Sequence, residues 1–237
     1  MADFKLMIAT PTQHGAVSLC YADGIASLRA KSAAYGVPIV MGSIVSNCYI
    51  PDARNILVEE FLKTDATHLM FIDSDIGFDS DYVFHMMEWV KDPKYNILGA
   101  YYPKKQIVWP KVYELVKRGV PLEILPALAA DGTVSYLDGK YPGPEDGKRP
   151  FEVAELATGF LMIRRSMFEL FREKYPERVF SKGKRCLYFH CEIMDDEYIG
   201  DDFYFCKLMR ALGEKIWLCP WMDLTHHGQF MYGAPMK

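Results

Sequence analysis

Short, uninterrupted apolar runs alternate with longer helix-like stretches over the first hundred residues, and no other feature limits so strongly what this chain can fold into. Lys5-Leu6-Met7-Ile8-Ala9-Thr10, closed by Pro11, has the length and breaker expected of a buried strand. From about Ala16 to Tyr35 the chain is rich in Ala, Leu and Ser and then meets Gly36-Val37-Pro38, the way helices end. Pro38 to Val45 reads as a second strand, and Asp52 can cap a helix in which Ile56, Leu57, Phe61 and Leu62 recur at helical spacing. His68-Leu69-Met70-Phe71-Ile72 is apolar throughout, as a central parallel strand covered on both faces must be. Ser80 to Trp89 predicts a helix and Asn96 to Tyr102 a strand, so the pattern is that of an α/β fold with a mostly parallel central sheet flanked by helices.

The second half is less regular. It predicts a helix near Lys111 to Arg118, a strand over Val153 to Arg164, helices from Ser166 to Tyr175 and from Asp201 to Leu212, and a strand from Lys215 to Cys219. Between Asp138 and Pro150, Gly and Pro forbid both helix and strand, leaving a surface loop or a flap over a site. No linker or internal repeat divides the 237 residues, which therefore read as one domain.

Charge excludes some partners. Lys and Arg number 27 against 31 Asp and Glu, a net charge of -4 with no basic stripe, which argues against nucleic acid. No apolar run approaches the roughly 18 residues that a membrane span needs. The apolar run after the first five residues is too short for a secretory signal, so the expected location is the cytoplasm. Cys20, Cys48, Cys186, Cys191, Cys206 and Cys219 show no paired metal-site spacing, and a chain of this size does not need disulfides, so most should be reduced core residues.

The chemistry concentrates in Phe71-Ile72-Asp73-Ser74-Asp75-Ile76-Gly77-Phe78-Asp79. Asp73 and Asp75 stand where a buried strand should leave the sheet, the edge at which open α/β sheets bind ligands. Residues i and i+2 of an extended segment point the same way, so both carboxylates can face one site, where a cation would offset their repulsion. A hard divalent ion bridging carboxylates to substrate phosphates fits such a pair. The alternative, that these acids merely cap a helix, is weakened because Asp79 or Ser80 already suits that task. A calcium-binding EF-hand loop is excluded, because Gly77, Phe78 and Phe84 stand where it needs a polar ligand, glycine and glutamate. There is also no Gly-rich phosphate loop of either the Walker or the dinucleotide type.

With these residues in view the chain resembles the metal-dependent A-fold (GT-A) glycosyltransferases. The resemblance runs through Ala53-Arg54-Asn55, Asp73-Ser74-Asp75, Glu155-Leu156-Ala157-Thr158-Gly159-Phe160, Gly200-Asp201-Asp202-Phe203 and Leu224-Thr225-His226-His227-Gly228, in that order. It implies a nucleotide-binding half over residues 1–103, an acceptor half over 104–237, and a manganese or magnesium ion held by Asp73, Asp75 and His226, with His227 as the other candidate. It implies that Thr158 and Gly159 lie beside a UDP- or GDP-linked sugar donor, with Pro11, Thr12 and Gln13 along the nucleoside and Asp73 and Ser74 also touching the donor. The acceptor would be a glycan or another hydroxyl compound, activated by Asp202 as base, with Asp201 the alternative because the chain carries Asp-Asp where the family often has Glu-Asp. A base of this kind implies inversion at the anomeric carbon. Physically, Asp202 opens a helix whose dipole favours the ionised form.

Arg54 can pair with a diphosphate or with an active-site carboxylate. Tyr101, Tyr102, Trp109 and Trp221 should flank the site, with Trp221 a candidate to stack on substrate, while His14, His68, His85 and His190 read as structural. Lys182-Gly183-Lys184-Arg185 reads as a solvated turn or as a patch for an anionic acceptor. Three rival functions stand beside this one. A phosphatase of the haloacid dehalogenase type also uses an Asp-x-Asp strand end, but that family wants Thr or Val two residues past the second Asp, where this chain has Gly77. A nucleotidyltransferase normally has a Gly-rich turn after the first strand, which is absent here, and a non-catalytic nucleotide-sugar or glycan binder would need no base.

Overall fold

A computed structural model describes residues 4–142 and 147–229. Seven strands form one sheet: β1 (Leu6–Pro11), β2 (Ile39–Ile44), β3 (His68–Ile72), β4 (Ile97–Ala100), β5 (Phe151–Val153), β6 (Phe160–Arg164) and β7 (Ile216–Cys219). Their spatial order is β2-β1-β3-β6-β4-β7-β5. The pairs β1 with β2, β1 with β3 and β4 with β7 are parallel, whereas β6 is antiparallel to both β3 and β4, and β5 to β7. The mostly parallel sheet expected from the sequence is therefore present, but a strand from the second half is inserted at its centre. The two halves consequently share one sheet.

Helices α1 (Leu19–Tyr35) and α3 (Ser80–Trp89) cover one face, and α2 (Ile50–Leu62), α5 (Arg165–Lys174) and α6 (Asp201–Ala211) the other, while α4 (Trp109–Lys117) buries no residue. The period-2 alternation of a strand explains the division: Leu6 and Ile8 pack with Leu28, Val83 and Met86, whereas Met7 and Ala9 pack with Leu57, Val58 and Phe61. Each such apolar side chain taken fully out of water contributes about 1.5–3 kcal/mol. Under α2, α5 and α6 lies an aromatic cluster of Phe168, Phe171, Tyr188, Phe189 and Phe205, with ring centroids 4.8–6.2 Å apart.

Helix ends follow their sequence signals. Ser18 caps α1 by accepting the Tyr21 N–H, Gly36 ends it at φ 66°, and Asp79 caps α3 by accepting the Asp81 N–H. Asp52 does not open α2. The helix begins at Ile50, with Tyr49 at the capping position and both Pro51 and Asp52 in its first turn, and Asp52 instead pairs with Arg185. The continuous strand expected over Val153 to Arg164 is also broken, into β5, a two-residue pair at Glu155–Leu156 and β6, because the chain changes partners twice there. That breach leaves Ala157, Thr158 and Gly159 outside the ladder, at the lip of the sheet.

Of the loop expected between Asp138 and Pro150, residues 143–146 lie outside the described residues. Cys186, Cys206 and Cys219 are buried, Cys20 and Cys191 are half-buried and Cys48 is exposed, all as free thiols. The Ser181, Lys182 and Gly183 backbones have positive φ, which makes the basic patch a tight turn. No helix among the described residues is long and apolar enough to cross a membrane.

Candidate active site

The Asp73-Ser74-Asp75 turn leaves β3 and enters a two-residue strand, Ile76–Gly77, that pairs antiparallel with Thr225–His226 near the other end of the chain. His226 lies opposite Ile76, and the His227 N–H donates to the Asp75 carbonyl at 2.8 Å. The Ser18 N–H at the start of α1 donates to the Ser74 carbonyl at 2.8 Å. Two distant segments thus clamp the turn by its backbone and leave its side chains to act.

Asp75 and His226 face one another, with Nε2 3.4 Å from Oδ1. His226 Nδ1 lies 2.8 Å from the Pro103 carbonyl, which can only accept, so Nδ1 carries a hydrogen and the ring is oriented with Nε2 toward Asp75. Metal-binding imidazoles are oriented in this way by a partner on the far nitrogen. The other Asp75 oxygen, Oδ2, accepts from the Lys105 ammonium. Burial raises the Asp75 carboxyl, but the bonds from His226 and Lys105 outweigh it and hold the group down at about 2. Asp75 is ionised throughout the physiological range.

Asp73 is organised differently. Its Oδ2 faces Arg54 Nη2 at 3.4 Å, and Nη1 of the same guanidinium donates to Asp201 Oδ2 at 2.8 Å. Arg54, whose side chain is 7% exposed, therefore joins the strand tip to the first turn of α6 across the fold. Burial raises the Asp73 carboxyl and Arg54 offsets part of that, while the two carboxylates together hold Arg54 firmly protonated. Three buried polar atoms around this junction have no hydrogen-bond partner: Arg54 Nε, Asp73 Oδ1 and Thr158 Oγ1. Unsatisfied buried groups are uncommon in folded proteins, and here they mark a place where a polar ligand would complete the bonding.

Gly159 packs behind Asp73. The Asp73 N–H donates to its carbonyl at 3.0 Å, and its own N–H donates to the Tyr102 hydroxyl at 2.9 Å. A Cβ at Gly159 would fall 2.4 Å from Tyr102 Oη and 3.0 Å from Asp73 Oδ2. Gly159→Ala is accordingly expected to cost about 1–3 kcal/mol by overpacking, measured by chemical denaturation. Wild-type stability in that variant would mean that Tyr102 yields freely and does not fix the strand tip.

Asp202 sits beside Asp201 in the first turn of α6, and the Phe203 N–H donates to its Oδ1 at 2.8 Å. Burial pushes its carboxyl up to about 6, against the pull of Arg54 and with the help of Asp201. Asp73 and Asp201 also bear on Asp202, which ties this first turn of α6 electrostatically to the strand tip.

Thr12 is buried at the end of β1, its N–H bonded to the Ile44 carbonyl and its Oγ1 accepting from the Gly15 N–H. Pro11 ends β1, and Gln13 is exposed. Trp221 is not brought to the carboxylates. It packs on Trp89 at 6.2 Å and lines a cavity of about 530 Å³ with His85, Glu88 and Lys148, and the acids and His226 do not line that cavity. Trp109 is 62% exposed on α4, and Tyr101 packs over Gly132.

Of the three residues expected to hold a metal, Asp75 and His226 face each other while Asp73 faces Arg54, and among the described residues no three ligating side chains converge on one point. The reason is Arg54, whose guanidinium engages Asp73 Oδ2. The donor set still fits a hard divalent ion, because Asp75 and His226 face each other and one buried Asp73 oxygen has no partner. Sequence reasoning placed Tyr102 at the site but missed Lys105 and the Pro103 carbonyl, which follow it. The signal available was their position, directly after β4 at the same edge of the sheet as Asp73.

No family model and no curated protein matches the sequence. Among solved structures, the chain is similar to A197 from STIV, with a TM-score of 0.54 and 14% identity over 95% of this chain and 87% of that one. At that identity the likeness shows the fold alone. It is more distantly similar to S. aureus TarS 1-349 in complex with UDP-GlcNAc, at TM-score 0.46 and 9% identity over 96% of this chain and 60% of that one. A glycosyltransferase involved in glycosylation of the major capsid of PBCV-1 matches at TM-score 0.38 and 9% identity over 75% of this chain and 68% of that one. The chain is thus an α/β protein with a seven-stranded sheet between helices, whose structural neighbours include glycosyltransferases.

Proposed function

We propose that this chain is a divalent-metal-dependent glycosyltransferase of the GT-A kind that moves a sugar from a UDP- or GDP-linked donor to a hydroxyl of a glycan or similar acceptor. The observation that carries the reading is the Arg54 bridge, which sets the strand-tip acids and the Asp201-Asp202 pair on one face although 147 residues separate Arg54 from Asp201. Asp75 and His226 would hold manganese or magnesium, with the free Asp73 oxygen turned toward the ion's surroundings. Such an ion supplies Lewis-acid stabilisation of the charge that develops on a departing diphosphate. Thr158 Oγ1, buried without a partner, can donate to a donor oxygen, and Gly159 lets Tyr102 and Asp73 pack closely behind that position.

Asp202 takes the proton of the acceptor hydroxyl. An alcohol is a poor nucleophile until a positioned base accepts that proton, and a carboxylate with proton affinity near neutrality does so more effectively than an ordinary one. Attack from the side of Asp202, opposite the departing diphosphate, inverts the anomeric carbon. The nucleotidyltransferase alternative is disfavoured by the turn after β1. There the Thr12 N–H is bonded to Ile44 and the Gly15 N–H to Thr12, and the turn lacks the Gly-rich sequence that cradles a triphosphate.

Ligand-induced stabilisation tests the reading. UDP or GDP at about 100 times its Kd should add about 2.7 kcal/mol, a rise in Tm of roughly 5–10 °C, only when manganese or magnesium is present. Equal stabilisation with excess EDTA would remove the metal from the scheme. No stabilisation by any nucleotide or nucleotide sugar would remove the donor.

A further inference from the structure

We propose that Lys105 is an internal counter-cation of the site, which holds Asp75 while no divalent ion is bound and passes to the donor diphosphate when one arrives. The inference rests on the glycosyltransferase reading and deepens it, by giving the metal a built-in competitor and the diphosphate a protein-borne cation.

Both oxygens of Asp75 are engaged, Oδ1 by His226 and Oδ2 by the Lys105 ammonium. A dication bound to Asp75 and an ammonium on the same carboxylate repel one another, so entry of the ion displaces the lysine. The lysine has the freedom to leave. Its backbone is fixed from both sides, because the Lys104 N–H donates to the Asp131 carbonyl and the Gln106 N–H to the Lys104 carbonyl, each at 2.8 Å. Its side chain is 41% exposed.

The stem runs along Gly228, where a Cβ would fall 2.9, 3.1 and 3.3 Å from Lys105 Cδ, Cγ and Cβ. The absence of a side chain at 228 gives the stem its track. Beside that track is a cavity of about 470 Å³ lined by Lys105, Gln106, Trp109, Ala130, His226 and Gly228, a volume of the size that small ligands fill. A swing of the ammonium from Asp75 into this cavity keeps it within the same site. A compact charge on a flexible stem suits this exchange of partners, and phosphate oxygens are the natural second partner for an ammonium.

The test is a titration of the protein with Mn²⁺ alone, followed by the electron paramagnetic resonance signal of the free ion, and then with UDP at saturating Mn²⁺. Lys105→Ala should bind Mn²⁺ about fivefold more tightly than wild type, because the competing ion pair is gone. It should bind UDP about tenfold more weakly, because a charge-assisted phosphate contact is lost. Lys105→Arg, which keeps the charge, should remain near wild type in both. Unchanged Mn²⁺ affinity in Lys105→Ala, together with loss of binding in Asp75→Asn, would overturn the counter-cation and leave the metal site standing. Unchanged UDP affinity in Lys105→Ala would overturn the transfer to diphosphate. No Mn²⁺ binding by either wild type or Lys105→Ala would overturn the counter-cation and the metal-dependent reading together.

Discussion

Asp202→Asn is expected to lower turnover with donor and acceptor by roughly 10²–10⁴-fold while leaving binding of UDP with Mn²⁺ near wild type. The amide keeps the shape of the side chain and its place in the first turn of α6 but cannot take a proton. Because the Asp202 carboxyl is pushed up to about 6, kcat/KM of the wild type should fall below a pH of about 6 as the base becomes protonated, and this acid limb should disappear from the residual activity of the variant. The same shift has a consequence for stability. Between the unfolded carboxyl value near 4 and the folded value near 6, the folded protein carries a proton that the unfolded chain has released, so this group's contribution falls as pH rises through that window. The Asn variant should lack that slope. Turnover within threefold of wild type would exclude Asp202 as the base.

Arg54→Ala should be the most destabilising single change in the site. The guanidinium is buried and bonded to two carboxylates on different elements, and its removal leaves Asp73 and Asp201 facing each other without a counter-charge. Breaking a buried ion pair in this one-sided way costs about 3–5 kcal/mol, a large part of the 5–15 kcal/mol that holds a typical domain folded. A fall in Tm of roughly 10 °C follows for a chain of this length. Arg54→Lys should recover little, because one ammonium cannot replace a fork that reaches Asp73 with Nη2 and Asp201 with Nη1. The deficit should shrink as pH falls, because burial already raises the Asp73 carboxyl and loss of Arg54 raises it further, so that it takes up a proton. An Arg54→Ala variant that melts within 1 °C of wild type at neutral pH would show that solvent screens the junction and that the bridge does not hold the two halves of the site together.

How far the fold and the site could be read in advance depended on the range of the interactions involved. His68 to Ile72 and Ser80 to Trp89 were legible to the residue, because burial on both faces and a local cap write themselves into neighbouring positions. The insertion of β6 between β3 and β4 was not legible, since strand order is decided by packing between segments remote in sequence. Within the site, two acids one residue apart at a strand end announced themselves by spacing alone. The pairing of Asp73 with Arg54, which separates its task from that of Asp75, depends on how α2 lies against α6. Lys105 resembled any solvated lysine until the backbone bonds of its neighbours aimed it at Asp75. Asp52 shows the opposite failure, because its local chemistry suits a cap and a distant arginine claimed it instead.

The seating of β6 between β3 and β4 also governs the order in which the protein can be made. When residue 100 leaves the ribosome, β3 and β4 are both complete, yet neither has the neighbour that will join them, which arrives only with Arg164. The emerging chain therefore carries bare, apolar strand edges on β3 and β4 for some sixty further residues, and such edges invite pairing with other chains. β7 closes the far side of β4 later still, and the Thr225–His226 strand that clamps the acidic turn follows it. The clamp on the acidic turn thus forms only after every strand of the central sheet has been made.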